Sequence, residues 1–557
     1  MRHTIKYLVV GAALLLGAAC ANLDVVNQNS ADAARALATP GDVESLIAGA
    51  YNTWFNGVYA YSGPTLFLSN QSFQHNAPWA NAAMEFYGRI PRNAIVNDAA
   101  DQYYGNFTRP WYYSYRAIAA VSDGLRSLED PNIANALGAA NVLRDQAFGY
   151  YMLGKAHATL AILYDQAFVV DETTDVTKPQ TAQSYNDVMT AAMGYFDKAI
   201  ALCGQGAFTI PEGWTATTGG ISNTMLAQIA HSEKARFMAA VARTPAERKA
   251  VDWNAVISNV DAGVTASWTP FMSDANGWGQ ESLDYGGYDG WSEMAYYVYG
   301  MADQSGNYQR WLNIPLATKL PNPSSGDIVI VTPDTRFPRG STIAQQQDTA
   351  ADGTPINAGV FSDSSAATRG SLGNWAFDAP LDIAGVWRHP ERGQWRWSYY
   401  RNESAHNTYS NTEAEDVPEI DIESMRLLKA EGLYYQGDLA GAAAIVNMTR
   451  TLNGLNATDA SGTNTSCVPK LPDGTCGDLW EMLKWEKRME VQYFGLVGAP
   501  WWFDSRGWGD LFVGTPLEFP VPCKELQTLQ ILPCYSFGGA GGTMAAPVST
   551  YHYPDEG

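Results

Sequence analysis

The chain has 557 residues, a formal net charge of −22, and 17% charged against 12% aromatic residues. So acidic a chain repels phosphate backbones and anionic head groups over a Debye length, which argues against a nucleic-acid partner, and it has too many rings to bury to remain disordered. Two or three domains would fit this length, yet no linker separates independent cores.

Residues 1–19 read as a secretion signal: Arg2 and Lys6, an apolar run from Leu8 to Ala19, then small residues before Cys20 in LVVGAALLLGAAC. The run is too short to cross roughly 30 Å of hydrocarbon as a helix, and no later stretch is long enough and free of charge. A cysteine behind small residues suits lipidation. The expectation is therefore an exported envelope protein held at the membrane through Cys20, with residues 20–40 a polar, alanine-rich tether. Gly17 stands where such motifs usually carry leucine, and Leu16 lies one place early. The alternative is an ordinary cleaved signal followed by a chance cysteine.

From residue 41 to 266 the pattern is paired amphipathic helices. Leu143, Ala147, Tyr150, Gly154, His157 and Ala161 recur at steps of three and four, and so do Tyr185, Val188, Ala192, Phe196, Ala199 and Cys203 after a loop. A second pair spans Met225–Ala242 and Trp253–Ala266, broken at Thr244-Pro245, with Asp252 placed to cap the second helix. His157, on an apolar face, is expected to be a packed, hydrogen-bonded core histidine. A third pair lies in the segment 421–557: Ile422, Met425, Leu428 and Leu433 lead to Gly437-Asp438, then Leu439, Ala443 and Val446 return. Glycine permits the left-handed helix end, and aspartate accepts the next helix's free amides. Helix pairs unable to bury their faces alone are the units of tetratricopeptide-like arrays. The fold class expected is mainly α: a tetratricopeptide-like helical-repeat scaffold with a loop-rich, aromatic ligand-binding lobe.

That lobe is residues 267–420, which hold eight of the 18 tryptophans amid glycine, proline, serine and aspartate. In WGQESLDYGGYDGWSEMAYYVYG, Trp278, Tyr285, Tyr288 and Trp291 alternate with Asp284, Asp289, Glu293 and glycines. Rings that stack on the C–H face of a pyranose, beside acceptors for its hydroxyls, make a sugar-binding surface. A second candidate is FQHNAPWANAAMEFYG, with His75, Asn76, Trp79, Asn81 and Tyr87. The competing reading is that these rings pack a loop-rich lobe onto the helices.

Other chemistry is largely missing. Seven scattered histidines form no HExxH or close ligand pair, there is no GxSxG elbow, and GGAGG at 538–542 lacks the lysine and preceding strand of a phosphate loop. No metal or cofactor is expected, and GGAGG reads as flexible chain. Glu481, Glu486 and Glu490 share a segment with Lys484, Lys487 and Arg488, and read as helix-surface ion pairs or a structural network rather than a glycosidase pair. Cys467 with Cys476 and Cys523 with Cys534 are close pairs suited to disulfides after export. Their spacing permits local closure, and a crossed connectivity as well. Cys203 is left over and reads as a buried thiol.

The assembled segments resemble the SusD/RagB-like outer-membrane lipoproteins that work with TonB-dependent transporters. The likeness runs from NLDVVNQNSADAARALATPGDVESLIAGAYNTW through RPWYYSYRAIAAVSDGL and RDQAFGYYMLGKAHATLAILYDQAF. It is sharper in IESMRLLKAEGLYYQGDLAGAAAIVNMTRTLNGL, LKWEKRMEVQYFGLVGAPWWFDSRGWGDL and TPLEFPVPCKEL, three motifs in the family's order. The resemblance implies a non-catalytic protein at the cell exterior. It would bind a nutrient, an oligosaccharide or alternatively a peptide, and deliver it to a SusC-like barrel. It also makes Glu486, Arg488, Glu490, Asp504 and Arg506 scaffold residues. A surface glycoside hydrolase is the alternative from another class.

Overall fold

The computed structural model describes residues 39–76, 81–280, 283, 285–286, 292–319, 329–346, 375–377, 400–402, 414–493 and 495–557. Amphipathic segments become helices where the sequence supplies caps. The helices used below are α1 (Pro40–Ala48), α2 (Ala50–Tyr59), α3 (Thr65–Gln71), α4 (Tyr104–Ser127), α5 (Ala139–Leu163), α6 (Tyr185–Cys203), α7 (Asn223–Ala240), α8 (Trp253–Asp261), α9 (Ile422–Gln436), α10 (Leu439–Leu452), α11 (Leu479–Glu490) and α12 (Pro500–Trp508). Asp252 and Asp438 accept the amides of Ala255 and Gly441, and Gly437 ends α9 at φ 84°. None of these helices is long and apolar enough to cross a membrane.

The helices pack in succession, α2 on α4, α4 on α5, α5 on α6, α6 on α7 and α7 on α8. Gly57 and Gly154 allow two of these approaches, because a Cβ would fall 2.4 Å from Tyr113 at the first and 2.9 Å from the Phe196 ring at the second. The stack then continues from α8 directly onto α9, although 160 residues separate them in sequence, and on through α10 to α11. Helix α8 ends at Asp261, short of the Ala266 expected, because the chain turns at Gly263 to let the Val264 amide donate to Ser232 Oγ at 2.9 Å. His157 is buried, its Nδ1–H donating to the Leu153 carbonyl at 2.8 Å while Nε2 accepts from the Val170 amide.

Among the described residues, the strands form short antiparallel pairs. β1 (Gln166–Ala167) pairs with β2 (Gln183–Ser184), and β3 (Thr209–Ile210) with β4 (Ile221–Ser222). In the inserted lobe, β5 (Phe271–Ser273) pairs with β8 (Ala414–Asp416), and nested inside it β6 (Trp375–Phe377) pairs with β7 (Tyr400–Asn402). At the lobe's root the Trp268 amide donates to Ile420 at 2.8 Å and the Glu419 amide to Trp268 at 2.9 Å, so the chain enters and leaves side by side. The described residues of the lobe share a core with the scaffold. Tyr296, Tyr297, Tyr299 and Trp311 are fully buried in one apolar cluster with Trp485, Met489 and Trp501 of α11 and α12.

Helix α11 is the hub of this junction, and it is buried rather than a charged surface helix. Glu486 and Glu490 receive Arg336 of the lobe at 3.0 and 2.7 Å, and Arg336 also pairs with Asp334. Lys487 meets Glu431 and Asp504 at 3.1 and 2.9 Å, both shared with Arg248. Lys484 and Arg488 meet Asp510 at 3.1 and 2.6 Å. Each set holds cations and carboxylates in near balance, which is what makes burying them tolerable. Burial alone would raise Glu431, but Arg248 and Lys487 outweigh it and hold that carboxyl at about 2. A further set joins Lys155 of α5 to Glu233 of α7 and to Glu419 at 2.6 and 2.9 Å. Arg506 instead takes three carbonyls, of Ile162, Leu517 and Ala240, closing the C-terminal ends of α5 and α7.

Disulfides join Cys467 to Cys476 and Cys523 to Cys534, while Cys203 is a buried thiol. The 538–542 stretch, expected to be flexible, is a tight turn in which Gly538 and Gly539 donate to Thr543 and Gly514.

Candidate ligand-binding site

Both aromatic segments singled out in the sequence converge. Asn76 and Glu293 exchange backbone hydrogen bonds of 2.8 and 3.0 Å, so the chain following α3 runs beside the chain that follows Gly286. Beneath them every residue from Thr65 to Asn76 is buried, although eight of the twelve are polar. Thr65 Oγ1, Asn70 Nδ2, Gln71 Oε1 and Ser292 Oγ find no hydrogen-bond partner among the described residues. A buried polar atom left without a partner costs about 1–3 kcal/mol, so this floor is expensive to maintain.

Tyr493, just beyond α11, locks the two segments together. Its hydroxyl lies 2.9 Å from His75 Nδ1 and donates to the Gly286 carbonyl at 3.3 Å, and its own carbonyl accepts from Gln280 at 2.6 Å. A Cβ at residue 286 would come within 2.6 Å of the Tyr493 ring, which is why glycine stands there. Burial pushes His75 down to about 3, with the Leu66 backbone only partly opposing it, so this imidazole is neutral at physiological pH.

The expected site residues separate into distinct environments. Trp278 is a core residue, 7% exposed and packed at 5.7 and 5.3 Å on Tyr51 and Phe55 of α2. The carbonyl before it, Gly277, accepts from Asn52 and Asn56 of α2, so this tryptophan pins the lobe to the scaffold and offers no stacking face. His75 and Asn76 are likewise buried, as part of the floor. Tyr87 is buried with its hydroxyl accepting from the Val96 amide. Tyr285 remains half-exposed and forms a ring pair with Tyr61 at 5.0 Å over Leu66, Ala82 and Met84. Trp79, Tyr288, Asp289, Trp291 and Cys20 lie outside the described residues.

No protein-family model matches the sequence, and no curated protein matches it. Solved structures do. The chain is similar to surface glycan-binding protein A from Bacteroides uniformis, at a TM-score of 0.51 and 11% identity, over 89% of this chain and 99% of that one. The fold is SusD-like. A SusD-like carbohydrate binding protein from Bacteroides vulgatus ATCC 8482 aligns at a TM-score of 0.48 and 14% identity, covering 92% and 94% of the two chains. A SusD-like protein from Bacteroides fragilis NCTC 9343 gives 0.47 and 13%, covering 92% and 99%.

On this SusD-like scaffold the candidate site is also where the backbone is strained. Phe73, Ala82, Ala83, Tyr493, Leu496 and Val497 are left-handed at φ between 32° and 61°, and they account for six of the eleven such non-glycine residues described. The turns Asn81–Ala83 and Leu496–Gly498 both pack on α3. At about 1–2 kcal/mol for each, left-handed backbone collects where a precise loop shape is required. Sequence reading missed Tyr61 and Tyr493. Tyr61 carries the same signal as its partner, a ring beside serine, glycine and proline in YAYSGP. Tyr493 sits in the quoted late motif with nothing local to distinguish it. Among the described residues no group of three or more histidine, cysteine or carboxylate side chains is placed to hold a metal.

Proposed function

We infer that this chain is a glycan-binding member of the SusD/RagB-like lipoproteins, anchored through Cys20 at the outer face of the outer membrane and handing its ligand to a SusC-like TonB-dependent transporter. The observation that carries the reading is the convergence of the 65–76 segment with Gly286, Ser292 and Glu293 at one polar, strained edge of a SusD-like scaffold, bordered by the Tyr61–Tyr285 pair. Half-exposed rings supply C–H stacking, and neutral amides and hydroxyls exchange hydrogen bonds with sugar hydroxyls at little cost in charge desolvation. The likeness to a surface glycan-binding protein supports the same class of ligand. A hydrolytic role finds no support in the acidic segment, since Glu481, Glu486 and Glu490 are committed to internal partners Lys484, Arg336 and Arg450.

The test is calorimetric binding to a panel of neutral oligosaccharides with parallel measurement of released reducing ends. Binding without release is expected; steady release of reducing ends would replace this reading with a hydrolase, and binding confined to peptides would move the ligand class. Cys20→Ser is expected to shift the protein from the membrane to the soluble envelope fraction.

A further inference from the structure

A second cavity lies away from the aromatic edge. It is a cleft of about 540 Å³ walled by Ile90, Pro91, Arg92, Leu316, Phe512–Gly514, the Gly539–Gly542 turn and Asp555–Glu556. That volume is within the usual range for small-molecule sites. Arg92 is 3% exposed, with its guanidinium between the rings of Phe73 and Phe512 at 5.0 and 5.6 Å. It donates to the carbonyls of Gly88 and Gln71, and among the described residues its Nε–H meets no acceptor and no carboxylate lies within ion-pair distance of it. This differs from the arginines of the scaffold sets, Arg236, Arg248, Arg336 and Arg488, each of which has a carboxylate. Burial correspondingly lowers Arg92 to about 9, with Tyr297 and Glu556 only partly opposing it.

The other walls are specific too. Gly514, Gly539 and Gly541 have φ between 72° and 81°, and the amides of the exposed residues Ala540 and Gly541 donate to none of the described residues. Glu556 is saturated by the amides of Val513, Ser549 and Tyr553 and the Ser549 hydroxyl. Asp555 uses one oxygen, Oδ2, for Tyr297 and Lys319, which leaves Oδ1 as an acceptor. The cleft therefore combines a charged donor seeking an anion, neutral amide donors and a carboxylate acceptor. A sugar hydroxyl can accept from an amide and donate to a carboxylate at once, which a peptide N–H cannot do.

We propose that this cleft is a second saccharide subsite that takes a uronic acid residue, its carboxylate on Arg92 and its hydroxyls between the 540–541 amides and Asp555. The proposal rests on the glycan-binding reading but concerns a different surface. The probes are digalacturonic acid, its neutral digalactoside counterpart and a glycine tripeptide, titrated into the whole protein and two variants. Ala540→Trp fills the cleft from an exposed rim position and leaves the fold intact, so it decides the matter even where Arg92→Gln fails to fold. Digalacturonate is expected to bind the parent at least tenfold more tightly than the neutral sugar, with A540W abolishing that binding and R92Q removing the preference. Tyr61→Ala with Tyr285→Ala is expected to leave it unchanged. Digalacturonate binding that survives A540W, an absent preference, or equal competition by the tripeptide overturns the subsite. Neutral glycans that bind in a Tyr61- and Tyr285-dependent way alongside such a result leave the main reading standing, whereas a panel in which no saccharide binds ends both.

Discussion

The helical stack and the segment from Thr65 to Asn76 are both buried, and they bury polar groups in opposite ways. In the stack the polar groups are charges, gathered into sets such as Arg248 and Lys487 with Glu431 and Asp504. In the segment they are neutral hydroxyls, amides and an uncharged imidazole, several without a protein partner, and the backbone around them is left-handed at six places. None of the residues in α4–α9 is left-handed. Ion sets fix one arrangement, because moving a member by an ångström exposes an uncompensated charge. Neutral groups are cheaper to desolvate and can trade partners, which suits a surface that must exchange its hydrogen bonds with a ligand.

The sharpest way to break that contrast is to remove one carboxylate from a set. Glu431→Ala leaves Arg248 and Lys487 facing only Asp504, and is expected to cost about 3–5 kcal/mol in urea unfolding, enough to prevent soluble accumulation if the parent is marginal. A loss under 1 kcal/mol would mean that water reaches the set. Trp278→Ala belongs with it: as a core ring it is expected to cost about 3–5 kcal/mol, and any loss of ligand should track unfolding.

Acid provides the next test, because each region holds one buried neutral histidine. Burial lowers His157 to about 4 and His75 to about 3. Once the pH falls below about 6.5 the unfolded chain binds protons that the fold refuses, so stability present above that pH is lost on acidification, at up to about 1.4 kcal/mol per unit for each histidine. Asp145 works the other way, since burial raises it to about 6 and the folded carboxyl then takes its proton before the unfolded one does. Comparing urea midpoints at pH 7 and pH 5, His157→Gln and His75→Gln should each remove on the order of 2 kcal/mol of acid sensitivity. If His75→Gln removes none, the segment admits water and the contrast is sharper than the packing suggests.

The stack was legible because its signals are local and periodic. Gly437-Asp438 states where α9 ends and α10 begins, and the apolar steps from Leu143 to Ala161 and from Tyr185 to Cys203 state which faces meet. The site was legible only as two stretches of sequence. SNQSFQHN looks like a solvated loop, and nothing local says that residues 217 positions apart will pair over it and bury it. The same blindness made Trp278 and Tyr285 look alike: both sit among glycine and acidic residues, and only the approach of Tyr51 and Phe55 makes the first a core ring. Charges on α11 misled about location, since their partners Arg336, Glu431 and Asp510 come from three distant segments.

The smallest expected effect on stability is therefore the most informative about function. Tyr61 and Tyr285 are half-exposed and cover a small cluster, so replacing either with alanine should change unfolding free energy by about 1 kcal/mol or less. A ring that stacks on a sugar contributes on a similar scale to binding, and its loss should weaken glycan affinity about tenfold, near 1.4 kcal/mol. The double variant separates stacking from packing, because it removes both faces of a pair that the fold does not need. Unchanged affinity there, in a protein that still binds glycan, would move the contact surface off this pair.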